Sequence, residues 1–407
     1  MKINLFKSKS FFYLFIILSL FPWVQFTFKN TLGIQPYIAI YSLLLIFLEL
    51  KYVSFNKHIF FFLIIVFIHF IFSGLNSEAI RSFLSYLSFF LVYIATSNFI
   101  KHSKEINISF ILNFALLIYI SVGLVQIYYD PDLFINLINK PFGYGQIAGR
   151  GVESLAAEPT FLGFHCLFIL TFYFLYSTRN NQNNVNILKL FLKKNKIFII
   201  LIFFLLFYIS RSPSAIFLFL ILIFCYLFLS SKFIFFLALI LFFGGLEFFE
   251  TSDLRVLKFL QNLSNPEIIF FELSAWERIL NIFISFYFGI LNPFGNGYGE
   301  LQNFFNEFWY LQPENYEISA VRISSFLGTI VLELGIFTLL YFLFFFIYNP
   351  IRKNLSGKKK VILLIFLILI LIQSIPISYP LAAVTLSIIN SYSNNSFNGS
   401  NNKAKTN

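Results

Sequence analysis

The sequence predicts an all-α, polytopic integral membrane protein with about 11 (10–12) transmembrane helices and one large external loop. Composition is the first reason: of 407 residues, 58% are hydrophobic and only 12% charged, too apolar for a soluble chain. Mean hydropathy is correspondingly high, at +0.81. The second reason is that apolar runs of about twenty residues recur, each long enough to cross a bilayer as a helix. They are continuous rather than alternating, which excludes a transmembrane β-barrel. The third is where the charge lies. The net charge is +11, but most lysines fall in short segments between the runs, so the excess describes topology and not a nucleic-acid footprint. With two cysteines in the chain, a disulfide-stapled secreted domain is excluded as well.

The first run, near 11–28, follows Lys2, Lys7 and Lys9 and lacks a small-residue cleavage site, which marks an uncleaved anchor with a cytoplasmic N-terminus. Further spans are expected near 31–50, 58–75, 82–100 and 107–128, completing an N-terminal bundle over 1–128. A first external loop, 129–158, leads to central spans at 159–178, 196–210, 213–230 and 233–249. A large external loop, 250–321, precedes spans at 322–348 and 361–380 within a C-terminal unit, 322–389. Residues 390–407 are Asn/Ser-rich and are expected to be disordered. Pro376 and Pro380 leave two readings of 361–390 open, one tilted helix or a short broken pair.

This map places 18 of the 29 Lys and Arg on the cytoplasmic side, nine outside and two in the tail, as the positive-inside rule requires. The two residue types divide differently. Only Lys29, Lys140 and Lys258 of 21 lysines are external, against six of eight arginines. Those six, Arg81, Arg150, Arg211, Arg255, Arg278 and Arg322, lie in external loops or at outer mouths of spans, where a guanidinium fork suits phosphate or carboxylate. For any one of them snorkelling or pairing with an external carboxylate is the competing reading. Six on one face point to an anionic ligand at the outer surface.

Particular segments carry the chemistry. In 129–158, turn-formers give way to Arg150-Gly-Val-Glu153-Ser-Leu-Ala-Ala-Glu158-Pro159, so Pro159 fits the first position of a helix and Glu158 its positive end. A cap is the alternative role for Glu158. His165, two turns below on the same face, reads as a packing histidine. Ser210-Arg211-Ser212-Pro213 interrupts 196–231 with a charge and a helix breaker, which predicts a hairpin tip below the outer interface. An arginine there needs a water-filled or anion-occupied cavity, which makes Arg211 the strongest single candidate.

In 250–321, Ser274 and Glu277 have capping-box spacing, and Arg278 adds a cation to a helix start already favourable to anions. Residues 279–290 are apolar but too short to span, so they lie in the interface or re-enter between spans. Asn292-Pro-Phe-Gly-Asn-Gly-Tyr-Gly299 ends that helix in a tight turn and matches no nucleotide-binding fingerprint. Glu333 is the one carboxylate well inside the apolar run 323–348, functional by default or paired with an external arginine. Cys166 and Cys225 lack metal-ligand spacing and the four His are scattered, so no metal centre and no cofactor are expected.

Taken together, Arg150 to Gly163 with its Glu-Pro step, Ser210-Arg211-Ser212, Arg278 to Gly299, and Phe326-Leu-Gly-Thr-Ile-Val-Leu-Glu333-Leu-Gly335 resemble the O-antigen polymerase (Wzy-type) and O-antigen ligase superfamily over most of the chain. The resemblance implies a GT-C-like, metal-independent, inverting glycosyltransferase on the outer face of the bacterial inner membrane. Its partners would be an undecaprenyl-pyrophosphate-linked oligosaccharide, membrane lipid and a chain-length regulator protein, and no nucleic acid. It assigns Arg150, Arg211, Arg278 and Arg322 to the substrate pyrophosphate and leaves Glu158 and Glu333 as catalytic candidates, Glu158 being the better placed general base. Ligases of this superfamily usually carry a histidine in the large external loop, and 250–321 has none, which favours a polymerase over a ligase. A lipid-linked oligosaccharide flippase is disfavoured by the 72-residue external segment and the lack of repeat symmetry.

Overall fold

The computed structural model describes residues 4–25, 34–74, 76–102, 107–134, 137–138, 151–178, 194–230, 273–301, 303–304, 325–354, 358–373 and 375–390. The protein is all-helical, 79% helix with no strand among these residues. Its helices are α1 (Lys9–Leu20), α2 (Tyr37–Leu48), α3 (Lys57–Phe72), α4 (Ser77–His102), α5 (Ser109–Tyr128), α6 (Pro159–Thr178), α7 (Lys196–Phe204), α8 (Pro213–Ser230), α9 (Leu273–Leu291), α10 (Phe326–Phe342), α11 (Lys358–Ile372) and α12 (Pro380–Asn390). α7 ends in a π turn, Leu205–Ser210, and α10 continues through another, Leu343–Tyr348, into Asn349–Asn354.

Local sequence sets the ends. Asn56 caps α3 by accepting from His58 N at 3.0 Å, and Ser325 caps α10 by accepting from Gly328 N at 3.0 Å. Pro159 and Pro213 open α6 and α8, where a missing N–H costs nothing. The first apolar run stays helical only to Leu20, because Pro22 forces the chain into a turn, and Val24 then bridges to Ile138. The C-terminal run is a broken pair: α11 stops at Ile372 and α12 begins at Pro380, with Pro376 between them. The span expected at 233–249 lies outside the described residues, as do most of 250–321 and the tail.

Among the described residues four stretches, Ser77–His102, Ser109–Tyr128, Pro159–Ser177 and Phe326–Arg352, are long and apolar enough to cross a membrane by length and composition, and the other apolar stretches, such as Pro213–Cys225 and Arg278–Leu291, run 10–17 residues. Their surfaces fit a bilayer. Phe47, Phe72 and Phe110 are 70%, 85% and 75% exposed, a display of aromatic area that water would not tolerate over a whole protein. Inside, Phe62, Phe89, Phe90, Tyr93, Phe342 and Phe346 pack ring on ring between α3, α4 and α10. Because lipid is as apolar as these side chains, close packing rather than hydrophobicity holds such helices together. Small residues permit it: Gly163 of α6 sits against Ala215 of α8, and Gly289 of α9 against Val331 of α10.

Candidate functional site

The site forms where α6 begins. Glu158 precedes Pro159 as the cap residue, and its carbonyl accepts from Leu162 N at 3.1 Å. Its carboxylate faces α9. Arg278 Nη2 donates to Glu158 Oε2 at 3.1 Å, and Nη1 donates to Thr160 Oγ1 at 3.3 Å. The two side chains keep 19% and 16% exposure, so the pair is reachable rather than sealed. An anion at this helix start gains from the macrodipole, and the guanidinium adds a charge-assisted bond.

A buried glutamine fixes the loop that delivers Glu158. Gln126 of α5 accepts from Ser154 N at 2.7 Å and donates to the carbonyls of Ser154 and Leu133 at 3.2 and 3.1 Å. Ser154, at φ 53°, donates its hydroxyl to Tyr119 O at 2.6 Å. The Gln126 amide and the Ser154 N–H, carbonyl and hydroxyl are all paired, as buried polar groups require.

Beside α6 lies the expected hairpin tip. The π turn ends at Ser210, Arg211 takes a left-handed conformation (φ 44°, ψ 31°), and α8 starts two residues later. Phe203 and Phe219, equidistant from Arg211 in sequence, meet edge to face, which confirms two helices folded back on one another. Gly163 lies against the Ser210 and Ser212 side chains, and Val152 N donates to Ile209 O at 2.9 Å. The Glu158 loop and the break therefore brace each other. Arg211 Nε donates to Tyr208 O at 3.1 Å and the guanidinium lies 5.5 Å from the Tyr208 ring centre. Tyr208 in turn shares a hydrogen bond with the Tyr128 hydroxyl. Among the described residues Arg211 has no carboxylate partner, which leaves its charge available to a ligand.

Glu333 belongs to a second centre. α9 runs alongside the first half of α10, with Gly289 at Val331 and Pro293 at Gly335. Arg278 and Pro293 are fifteen residues apart, so α9 separates the two centres by roughly 20 Å. Glu158 and Glu333 therefore do not converge on one reacting atom. At Gly335 (φ 84°, ψ 168°) α10 breaks, and the turn 292–299 repairs the break. Asn296 N donates to Leu332 O at 2.9 Å, Gly297 N to Glu333 O at 3.2 Å, and Phe337 N to Pro293 O at 3.4 Å. The Glu333 side chain accepts from Ser82 Oγ at 2.8 Å. Burial, and secondarily the Glu333 charge, raises the Tyr298 hydroxyl above the usual tyrosine range. That hydroxyl donates to Val66 O at 2.8 Å.

Of the sequence candidates, Glu158 and Arg278 are brought into contact, Arg211 lies at the adjoining break, and Glu333 is set apart. Arg150 and Arg322 lie outside the described residues. Sequence reasoning missed Gln126, Thr160, Ser82 and Tyr208. Gln126 had a signal, an amide near the end of an apolar run, whereas the others are ordinary residues whose role depends on a distant partner. No protein-family model, no curated protein and no solved structure matches this chain.

Proposed function

We propose that this protein polymerises polysaccharide repeat units, transferring a growing glycan from undecaprenyl pyrophosphate to a lipid-linked repeat unit at the outer face of the bacterial inner membrane, within a GT-C-like framework of about eleven spans. The observation that carries the reading is the meeting of Arg278 with Glu158, residues from two separate expected external loops, at a helix start beside the break that holds Arg211, which has no carboxylate partner among the described residues. The reaction asks for these groups. The acceptor hydroxyl oxygen bonds to the anomeric carbon as the bond from that carbon to the pyrophosphate oxygen breaks. The electron pair leaves on the pyrophosphate, and the acceptor proton passes to a base. Arginines offset the leaving charge without a metal ion, and Glu158 takes the proton. Arg278 occupies the Glu158 carboxylate, so the pyrophosphate has a second effect. By drawing Arg278 towards itself, it frees Glu158 to accept the proton.

The exposed apolar stripe of α9, Ile279, Phe283, Tyr287 and Ile290, leads away from Arg278 and suits a polyprenyl tail. A chain-length regulator is a fitting partner for such an enzyme. Mass spectrometry of lipid-linked glycans from a deletion strain tests the reading. Single repeat units accumulating at the outer face support it. Full-length lipid-linked polymer that never reaches its acceptor would indicate a ligase, units trapped in the inner leaflet a flippase, and an unchanged profile would remove the reading altogether.

A further inference from the structure

The second centre has its own chemistry. Glu333 is 4% exposed, and its Oε2 has no hydrogen-bond partner. The other carboxylate oxygen is held by a neutral hydroxyl, Ser82 Oγ. Tyr86 Oη is buried beside the carboxylate, near enough to interact with it though outside strict hydrogen-bond geometry among the described residues. No lysine or arginine among the described residues pairs with Glu333. The carboxylate also sits at the end of the half-helix that stops at Gly335, where peptide dipoles present their negative end. A bare anion in that position is opposed by desolvation and by the helix, with no counter-charge among the described residues. In many transporters the C-terminal ends of broken helices help to hold sodium ions or protons.

We propose that Glu333, Ser82 and Tyr86 form a binding site for one small hard monovalent cation, a proton or a sodium ion, at the break in α10. All three donors are oxygen, which suits such ions and not soft metals. Glu333 Oε2, which has no partner in hydrogen-bond geometry, and the neighbouring Tyr86 Oη supply the positions between which the ion sits. The inference does not rest on the polymerase reading, since the site lies at the other end of α9 from Arg278. It would give the protein a means of sensing or using the ion gradient across its membrane.

Infrared difference spectra of the purified full chain in lipid nanodiscs at neutral pH, wild type against Glu333→Gln, provide the test. In choline chloride the difference should show the carbonyl band of a protonated acid, or carboxylate bands that shift when sodium replaces choline. An acid band unmoved by sodium assigns the site to a proton, and a sodium-dependent shift assigns it to sodium. Carboxylate bands present in choline and unmoved by sodium would overturn the proposal. If Glu333→Gln does not fold, Ser82→Ala and Tyr86→Phe serve instead. Each removes one neutral oxygen and should displace the Glu333 band, and no displacement in either would equally overturn it.

Discussion

Arg278 donates to two acceptors at once, through different nitrogens, and only a planar fork can do so. Arg278→Lys should therefore lose most of the activity of wild type, not a small part. Arg278→Ala and Glu158→Gln should each lower the chain-elongation rate by about 100-fold or more. Because the two side chains act as a unit, the double variant should be little worse than either single one, which a double-mutant cycle on elongation rate would reveal. Arg211 allows stability and activity to be separated. Its left-handed backbone costs about 1–2 kcal/mol in a non-glycine residue. Arg211→Gly should be at least as heat-stable as wild type yet defective in elongation. A fall in both would make the arginine a structural plug. The residue types at this site were legible in the sequence because charge is so scarce in it. Their pairing was not, since nothing local links position 158 to position 278.

The breaks behave as elements in their own right. An added methyl at Gly335 meets Pro293 O while the backbone holds φ 84°. At Gly74 (φ 75°) the same methyl meets nothing. Gly74→Ala should thus report backbone strain alone, about 1–3 kcal/mol, and Gly335→Ala should lower the melting temperature further by displacing the turn. Gln126→Leu, which strands the buried Ser154 N–H and carbonyl, should cost about 1–3 kcal/mol per orphaned group and loosen the Glu158 loop, seen as faster amide exchange over 151–158. Sequence reading found the Ser210–Pro213 interruption because a charge and a proline mark it. The break at Gly335 escaped because a single glycine in an apolar run is ordinary. The turn 292–299 read as a helix terminator for the same reason, its true client being a carbonyl row some forty residues further along the chain. The apolar stretch at 279–290 was foreseen as interfacial or re-entrant, and the structure lays it along α10.

Across the whole molecule, neighbouring residues separate lipid from core. Leu116 is fully buried on α5 and Leu117 is 48% exposed. Leu116→Ala should cost about 2–5 kcal/mol of stability without altering insertion. Leu117→Ala should be nearly neutral, and Leu117→Lys should impair insertion by about 2.5–3.5 kcal/mol, as a glycosylation-reporter assay would measure. Composition announced the helical membrane class from the outset, while span boundaries drifted wherever a proline or glycine cut a run that hydropathy alone treats as continuous. The two discontinuous helices share one more property. The break at Ile209–Arg211 is braced by Gly151 and Val152, and the break at Gly335 by residues 292–299. In both, the brace leaves the ribosome before the segment it repairs. Since chains are made from the N-terminus, each interrupted helix emerges into a membrane where the groups that complete it are already waiting, and neither has to rest in lipid with its peptide groups bare.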